Sequence, residues 1–298
     1  MTISGIVPNM VTPMTESGHP DVPGIERLGQ FLVNSGVGGI WLLGSAGEDV
    51  HISQQDRSTV TKTLTNTVQN KVPVIVGLGT APYYDIMNFV ENVDCDHIAG
   101  YHFLPYDLKL GDKALVSYVR KIADNLPRPL WLYHNPKRGR PITLEIAKEL
   151  SEHSNIAGIK VGGYNLTELT KMMMLKSPHF QVSGAGGGQL YQLLSLGAEL
   201  HMTSDANCWP EVFIELKRLF DAGLRDDALA LQHRIIGLSS RLPRNGNGEY
   251  AAEEKYILSL RGICEDWVNP AYNRLTDSEK NTTKSVLADF GFDWAKQP

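Results

Sequence analysis

The chain has 298 residues, 42% hydrophobic and 20% charged, and its 28 lysines and arginines against 33 aspartates and glutamates leave a formal net charge of −5. That balance argues against nucleic acid or an anionic membrane as a partner, because both need clustered positive charge. No apolar run approaches the roughly 20 residues of a membrane-spanning helix. Met1–Ile6 has neither the basic nor the apolar segment of a signal peptide, so a cytoplasmic protein is expected. Cys95, Cys208 and Cys264 are far apart and form no CxxC pair, which argues against a disulfide framework or a structural zinc site.

Short β-branched or aromatic runs recur along the chain at Ser4–Val7, Gly39–Leu43, Val72–Leu78, His97–Leu104, Pro129–His134, Ile156–Val161, Phe180–Ser183 and Glu199–Thr203. Helical stretches are predicted between them near 21–35, 53–69, 83–92, 111–125, 143–153, 165–176 and 186–196, with another over 210–222. Ser53 and Thr143 are candidate N-caps, and Glu145 follows in the first turn after Thr143. Strict alternation of this kind predicts a parallel sheet covered by helices, and eight units in about 220 residues predict a (β/α)8 TIM barrel, an α/β fold. A dinucleotide fold is disfavoured, because Pro82 stands where the third glycine after Gly77 and Gly79 would be required. Beyond residue 223 the strands stop. Helices are predicted over 225–241, 249–262 and 276–289, separated by Pro243–Gly248 and Asn269-Pro270. The expected division is a barrel over 1–223 and a helical region packed on it over 224–298.

Function in a barrel sits at the carboxyl ends of the strands. In Ile156–Val161, alternation predicts Ala157, Ile159 and Val161 facing the helices and Ile156, Gly158 and Lys160 facing inward, with Gly158 leaving room beneath the lysine. A desolvated lysine has a lowered pKa and a nucleophilic amine, able to form a Schiff base with a ketone. The same pattern also fits a strand-end lysine reaching out to solvent. In Pro129–Pro136, Leu130 and Leu132 suit the helix-facing side, so Tyr133 should point inward beside Lys160 as a proton shuttle, or as a core tyrosine bonded to backbone. Gly44-Ser45-Ala46-Gly47-Glu48 offers backbone N–H groups and the Ser45 hydroxyl to a carboxylate, although by itself it is also an ordinary glycine turn.

In order and spacing, Gly44–Glu48, Tyr133-His134-Asn135-Pro136 and Gly158-Ile159-Lys160 resemble the signatures of the dihydrodipicolinate synthase / N-acetylneuraminate lyase superfamily of pyruvate-dependent class I aldolases. Val11–Met14, Ser183-Gly184 and Ala206-Asn207 add to the resemblance, which spans essentially the whole chain. It implies a TIM barrel with a C-terminal helical region, commonly a homotetramer built as a dimer of dimers. It implies Lys160 as the Schiff-base lysine, Tyr133 and Ser45 as the proton relay, and Ser45 and Ala46 as the site of the keto-acid carboxylate. Arg138 falls where the synthases bind the second substrate's carboxylate, a duty suited to a bidentate guanidinium; a solvated loop arginine is the alternative. Gly184, Met202 and Asp107 complete the expected substrate-binding set.

Two positions depart from the synthase pattern: Ala46 lacks a hydroxyl, and Asp107 replaces the second tyrosine after Pro105-Tyr106. The loop Gly184–Gln189 also lacks the acidic residues of the sialic-acid lyases, its glycines leaving space or exposing N–H groups. The expected activity is therefore aldol cleavage or condensation of pyruvate, or of a 2-keto-3-deoxy acid, with an aldehyde or imine-acceptor partner that Arg138, His102 or Asp107 would select. No metal or organic cofactor is expected. Dehydration of a 3-deoxy-2-keto acid through the same imine is an alternative, as is a non-catalytic keto-acid-binding protein. A metal aldolase would use His102, His134 and His201, and Cys208 reads as packing.

Overall fold

Strand and helix alternate as the hydrophobic pattern predicts. The computed structural model describes residues 3–79, 82–244 and 251–296. In chain order the elements are β1 (Gly5–Pro8), α1 (Val22–Asn34), β2 (Ile40–Leu42), α2 (Gln54–Val68), β3 (Val74–Gly77), α3 (Tyr83–Val93), β4 (Ile98–Phe103), α4 (Asp112–Asp124), β5 (Leu130–His134) and α5 (Leu144–Ser151). They continue with β6 (Ile156–Val161), α6 (Leu166–Met173), β7 (Gln181–Gly184), α7 (Leu190–Ser195), β8 (Leu200–Thr203), α8 (Pro210–Asp221), α9 (Arg225–Ser239), α10 (Ala252–Leu260) and α11 (Asp277–Phe290). Most of the Pro243–Gly248 separator and the start of the helix predicted over 249–262 lie outside the described residues.

Every strand pair is parallel. β2 to β7 form one sheet in sequence order, and β1 pairs with β8 in a second. Single bridges join the two sheets at both seams, Asn9 to Trp41 and Ala185 to Met202. Parallel strands buried on both faces read as continuous apolar runs, as in Val74-Ile75-Val76, which is wholly inaccessible. One face of the strands meets α1–α6 in the largest apolar cluster. The opposite faces meet in a smaller one that draws Val7, Trp41, Ile75, Trp131, Tyr133 and Met202 from both sheets.

The predicted alternation in β6 holds only from Gly158 onward. Leu130 pairs with Ile156 and Trp131 with Gly158, so Ala157 is an extra residue opposite no partner. Such a bulge reverses the facing of everything before it. Ile156 therefore joins the helix-facing cluster and Ala157 the inner one, the reverse of the expectation. The room expected above Gly158 is taken by the Trp131 ring, which would lie 2.7 Å from an added Cβ.

Ser53 and Thr143 cap α2 and α5 as predicted, accepting from the N–H groups of Asp56 at 3.1 Å and Ile146 at 3.3 Å. Two full capping boxes, Asn165 with Glu168 and Thr276 with Glu279, begin α6 and α11. The C-terminal helices pack on α7 and α8 through a cluster that includes Phe213, Leu216, Ile235, Ile257 and Leu287, with Ile6 of β1. Among the described residues no helix is long and apolar enough to cross a membrane.

One ionic contact ties this helical region to the loop after β2: Lys255 of α10 pairs with Glu48, both side chains fully buried. The second Glu48 oxygen accepts from the Asn269 N–H at 2.7 Å. Breaking a buried pair from one side strands a charge, at about 3–5 kcal/mol. Lys255→Met should lose stability of that order in chemical denaturation, and Glu48→Gln/Lys255→Met should recover part of it.

Candidate active site

The register of β5 against β6 pairs Tyr133 with Lys160. Paired residues on neighbouring strands point to the same face, so the two side chains lie together. The Lys160 Nζ stands 4.3 Å from the Tyr133 ring centroid and 5.0 Å from that of Trp41. It donates to Asn9 Oδ1 at 2.9 Å, just beyond β1. Asn9 is itself held by Asn207, whose Nδ2 donates to the Asn9 carbonyl at 2.8 Å. Lys160 is only 2% exposed, and among the described residues no carboxylate is within ion-pair distance of it. Burial pushes the Lys160 ammonium down to about 7, partly opposed by the field of Asp49.

The Tyr133 hydroxyl lies 3.3 Å from Ser45 Oγ and accepts from Asn135 Nδ2 at 3.2 Å. Ser45 opens a 3-10 turn, Ser45–Gly47, bracketed by two left-handed residues, Leu43 (φ 57°) and Glu48 (φ 60°). Non-glycine residues there carry strain, which persists where the surroundings impose it. Thr12 Oγ1 donates to the Gly47 carbonyl at 2.9 Å, and the buried Glu48–Lys255 pair pins the other end. The N–H groups of Gly47 and Glu48 close the turn on the Gly44 and Ser45 carbonyls.

The same loop continues into Asp49, whose side chain is 4% exposed. Its Oδ1 accepts from Arg138 Nη2 at 3.1 Å and from the Val50 N–H at 3.0 Å, and its Oδ2 accepts from the Tyr106 hydroxyl. Arg57, also buried, donates to the Asp49 carbonyl at 3.0 Å. Burial and the neighbouring Asp49 push the Tyr106 phenol well above its ordinary value.

The structure thus gathers Lys160, Tyr133 and Ser45 directly, and Arg138 through Asp49. The Ala46 side chain is nearly buried in the helix-facing cluster. Met202 is inaccessible in the inner cluster. Gly184 turns its missing side chain toward Leu193 of α7, 2.4 Å from an added Cβ, so only its backbone is available to a ligand. Asp107 is exposed and accepts from the Lys109 N–H at 2.9 Å, facing its own loop. Asn9, Trp41 and Asp49 were not singled out from sequence, and Asn135 was named there only within the Tyr133–Pro136 motif, without a role.

Each of the three histidines is engaged by backbone. His102 stacks on Trp41 at 4.0 Å and donates to the Leu42 carbonyl at 2.9 Å, His201 donates to the Gly186 carbonyl at 3.0 Å, and His134 accepts from the Ile142 N–H at 3.0 Å. Burial holds His102 well below its ordinary pKa and lowers His134 and His201 to about 4. Among the described residues no three His, Cys, Asp or Glu form a group able to hold a metal. Cys208 is fully buried, with its thiol pushed up.

The glycine loop after β7 is not simply open. An added Cβ on Gly187 would fall 2.2 Å from the Asp205 carboxylate. Burial, with Glu254 nearby, raises Asp205 to about 6. Gly186–Gly188, Thr203–Asp205, Glu253 and Glu254 border a cavity of about 390 Å³ between these loops and α9 and α10.

A sequence model of the dihydrodipicolinate synthetase family matches residues 2–289. The chain belongs to this family. It is accordingly an enzyme, a lyase of the aldolase type. It is 28% identical to YagE of Escherichia coli, provisionally named a 2-dehydro-3-deoxy-D-gluconate aldolase, over 95% of this chain and 96% of that protein. The crystal structure of YagE in complex with pyruvate superposes with a TM-score of 0.88 at 26% identity, covering 96% of this chain and 98% of that one. A 4-hydroxy-tetrahydrodipicolinate synthase of Methanosphaerula palustris is also 28% identical, over 96% of this chain and 99% of that protein. The dihydrodipicolinate synthase of Bacteroides thetaiotaomicron shares the fold, with a TM-score of 0.90 at 24% identity, over 97% of this chain and 100% of that one.

The Lys160 environment has a stability signature. An unfolded lysine titrates near 10.4, so between about pH 10.4 and about 7 folding expels a proton, and the penalty grows as pH falls. Lys160→Met should be more stable than the wild type at pH 7, by on the order of 4 kcal/mol. Melting curves across pH should show that advantage shrinking as pH rises toward 10.

Proposed function

We propose that this protein is a Schiff-base lyase that cleaves or forms a carbon–carbon bond next to the imine of pyruvate or a 2-keto-3-deoxy acid. One observation carries the reading: a buried lysine with a depressed pKa stands in register with a tyrosine whose hydroxyl is linked to a serine. Within this reading the seam bridges close an eight-stranded barrel over 1–223, with the helices of 224–298 packed on it. A cytoplasmic homotetramer would follow the family resemblance.

The neutral Lys160 amine adds to the C2 carbonyl, and Tyr133 delivers a proton to the oxygen. The carbinolamine then loses water to give the protonated imine. In the cleavage direction the Tyr133 oxygen takes the C4 hydroxyl proton, the C3–C4 bond breaks, and its electron pair enters the iminium to form an enamine as the aldehyde departs. Protonation at C3 and hydrolysis release pyruvate and restore the amine. Condensation is the reverse. The electron sink is the imine itself, so the chemistry draws on Lys160 without an organic cofactor. Ser45 and Asn135 hold the Tyr133 hydroxyl, and Ser45 passes its proton onward. The keto-acid carboxylate would rest on the first N–H groups of the turn, those of Ser45 and Ala46, which a short helix leaves without internal partners.

Borohydride reduction in the presence of pyruvate, followed by intact-mass analysis, tests this. The wild type should gain the mass of pyruvic acid less one oxygen, and Lys160→Ala should gain nothing. Absence of an adduct with pyruvate and with a panel of 2-oxo acids would sink the reading. Tyr133→Phe should lower kcat by about 10²–10⁴-fold, the usual worth of a positioned acid–base group. The rate of imine formation should rise with pH around a midpoint near 7, because the neutral amine is populated above that value.

A further inference from the structure

An arginine in a binding site presents five N–H donors in a rigid fork, matched to a carboxylate. Arg138 has such a fork, its side chain 13% exposed, in the turn that follows Tyr133 and Asn135. Its carboxylate, however, is already supplied by the chain. Asp49 Oδ1 sits 3.1 Å from Arg138 Nη2. Asp49 is fixed from other sides as well, by the Tyr106 hydroxyl on Oδ2, by the Val50 N–H on Oδ1, and by Arg57 on its backbone carbonyl. It is not positioned to swing away when substrate arrives.

We infer that Asp49 is a specificity-determining residue: by holding Arg138 in an internal ion pair it withdraws the guanidinium from substrate, and so directs the enzyme to uncharged aldehydes and against aldehydes that carry a second carboxylate. The inference rests on the imine-forming role of Lys160 proposed above. A carboxylate reaching this corner would meet Arg138 and Asp49 together, whose charges sum to zero. To engage the guanidinium it would have to lie against a buried acid of the same sign. Like charges set against one another suppress the wrong partner. Tyr106, which donates to Asp49, packs against the inner cluster that holds Tyr133 and Trp41, so this acid borders the reaction space.

The test compares glyoxylate with glyoxylamide, acceptors of the same size that differ in charge, each condensed with pyruvate by the full-length protein; dividing each ratio by that of the wild type cancels their different intrinsic reactivity. The readout is the ratio of kcat/KM for the charged over the neutral acceptor, which a general loss of activity does not move. The wild type should favour glyoxylamide. Asp49→Asn keeps one oxygen to accept from the Val50 N–H and turns its amide N–H toward the Tyr106 hydroxyl oxygen, which can accept, while removing the charge; it should raise the ratio at least about tenfold. The rise should disappear in Asp49→Asn/Arg138→Gln.

A wild type that prefers glyoxylate, or an Asp49→Asn ratio within about twofold of the wild type, would overturn the inference. A wild-type preference for glyoxylate overturns the inference even where the variant fails to fold. Pyruvate trapping with borohydride on the same samples separates the two claims. A trapped imine with an unchanged ratio removes the role of Asp49 alone, whereas no trapped imine in the wild type removes the proposed chemistry and this inference with it.

Discussion

The site depends on one constraint, a lysine ammonium enclosed by strands and aromatic rings with, among the described residues, only an amide oxygen for a hydrogen-bond partner. In water the charged form of lysine is favoured by several pH units; inside the protein that preference is almost removed. A second buried lysine shows what the alternative looks like. Lys255 is equally inaccessible and burial lowers its pKa as well, but the carboxylate of Glu48 beside it opposes that shift and makes the pair a structural tie. Among the described residues Lys160 has no carboxylate within ion-pair distance, and in that it differs from Lys255. Asn9 accepts from Lys160 without supplying charge, and Asn207 and the end of β1 hold Asn9 in place.

The loop after β2 distributes the rest of the work. Within five residues it presents Ser45 to the Tyr133 hydroxyl, Glu48 to the C-terminal helices and Asp49 to Arg138. Its two left-handed residues make that fan of side chains possible, since a regular strand or helix would send successive residues along a single periodic track. The strained geometry is held by the Thr12 hydroxyl on one side and the buried ion pair on the other. Fold stability and site geometry are therefore coupled through Glu48, by which the helical region bears on the site.

Much of this was legible in the sequence because it follows from periodicity. The eight strands, the helices between them, the caps at Ser53 and Thr143 and the shared face of Tyr133 and Lys160 depend on local patterns that the chain keeps. The facing of Ile156 and Ala157 was not legible, because a bulge adds a residue without altering the composition of the strand. Gly158 and Gly187 suggested empty space, yet each is small because a neighbour, the Trp131 ring or the Asp205 carboxylate, comes close. Asp49 looked like one more acid after a glycine turn; its importance comes from Arg138, 89 positions away, and no local pattern announces that contact. Asp107, prominent as a departure from the family, faces its own loop, while Tyr106 beside it reaches the site.

We propose that a neutral partner in a dry setting makes Lys160 the amine that reacts, while Lys255 is held in its ion pair with Glu48. Peptide mapping of the borohydride-reduced pyruvate adduct tests it most directly, because both lysines are buried and both can be located by fragment mass. The account predicts the label on the peptide containing Lys160 and none on the peptide containing Lys255. Label on Lys255, or label spread among exposed lysines in proportion to their accessibility, would contradict it.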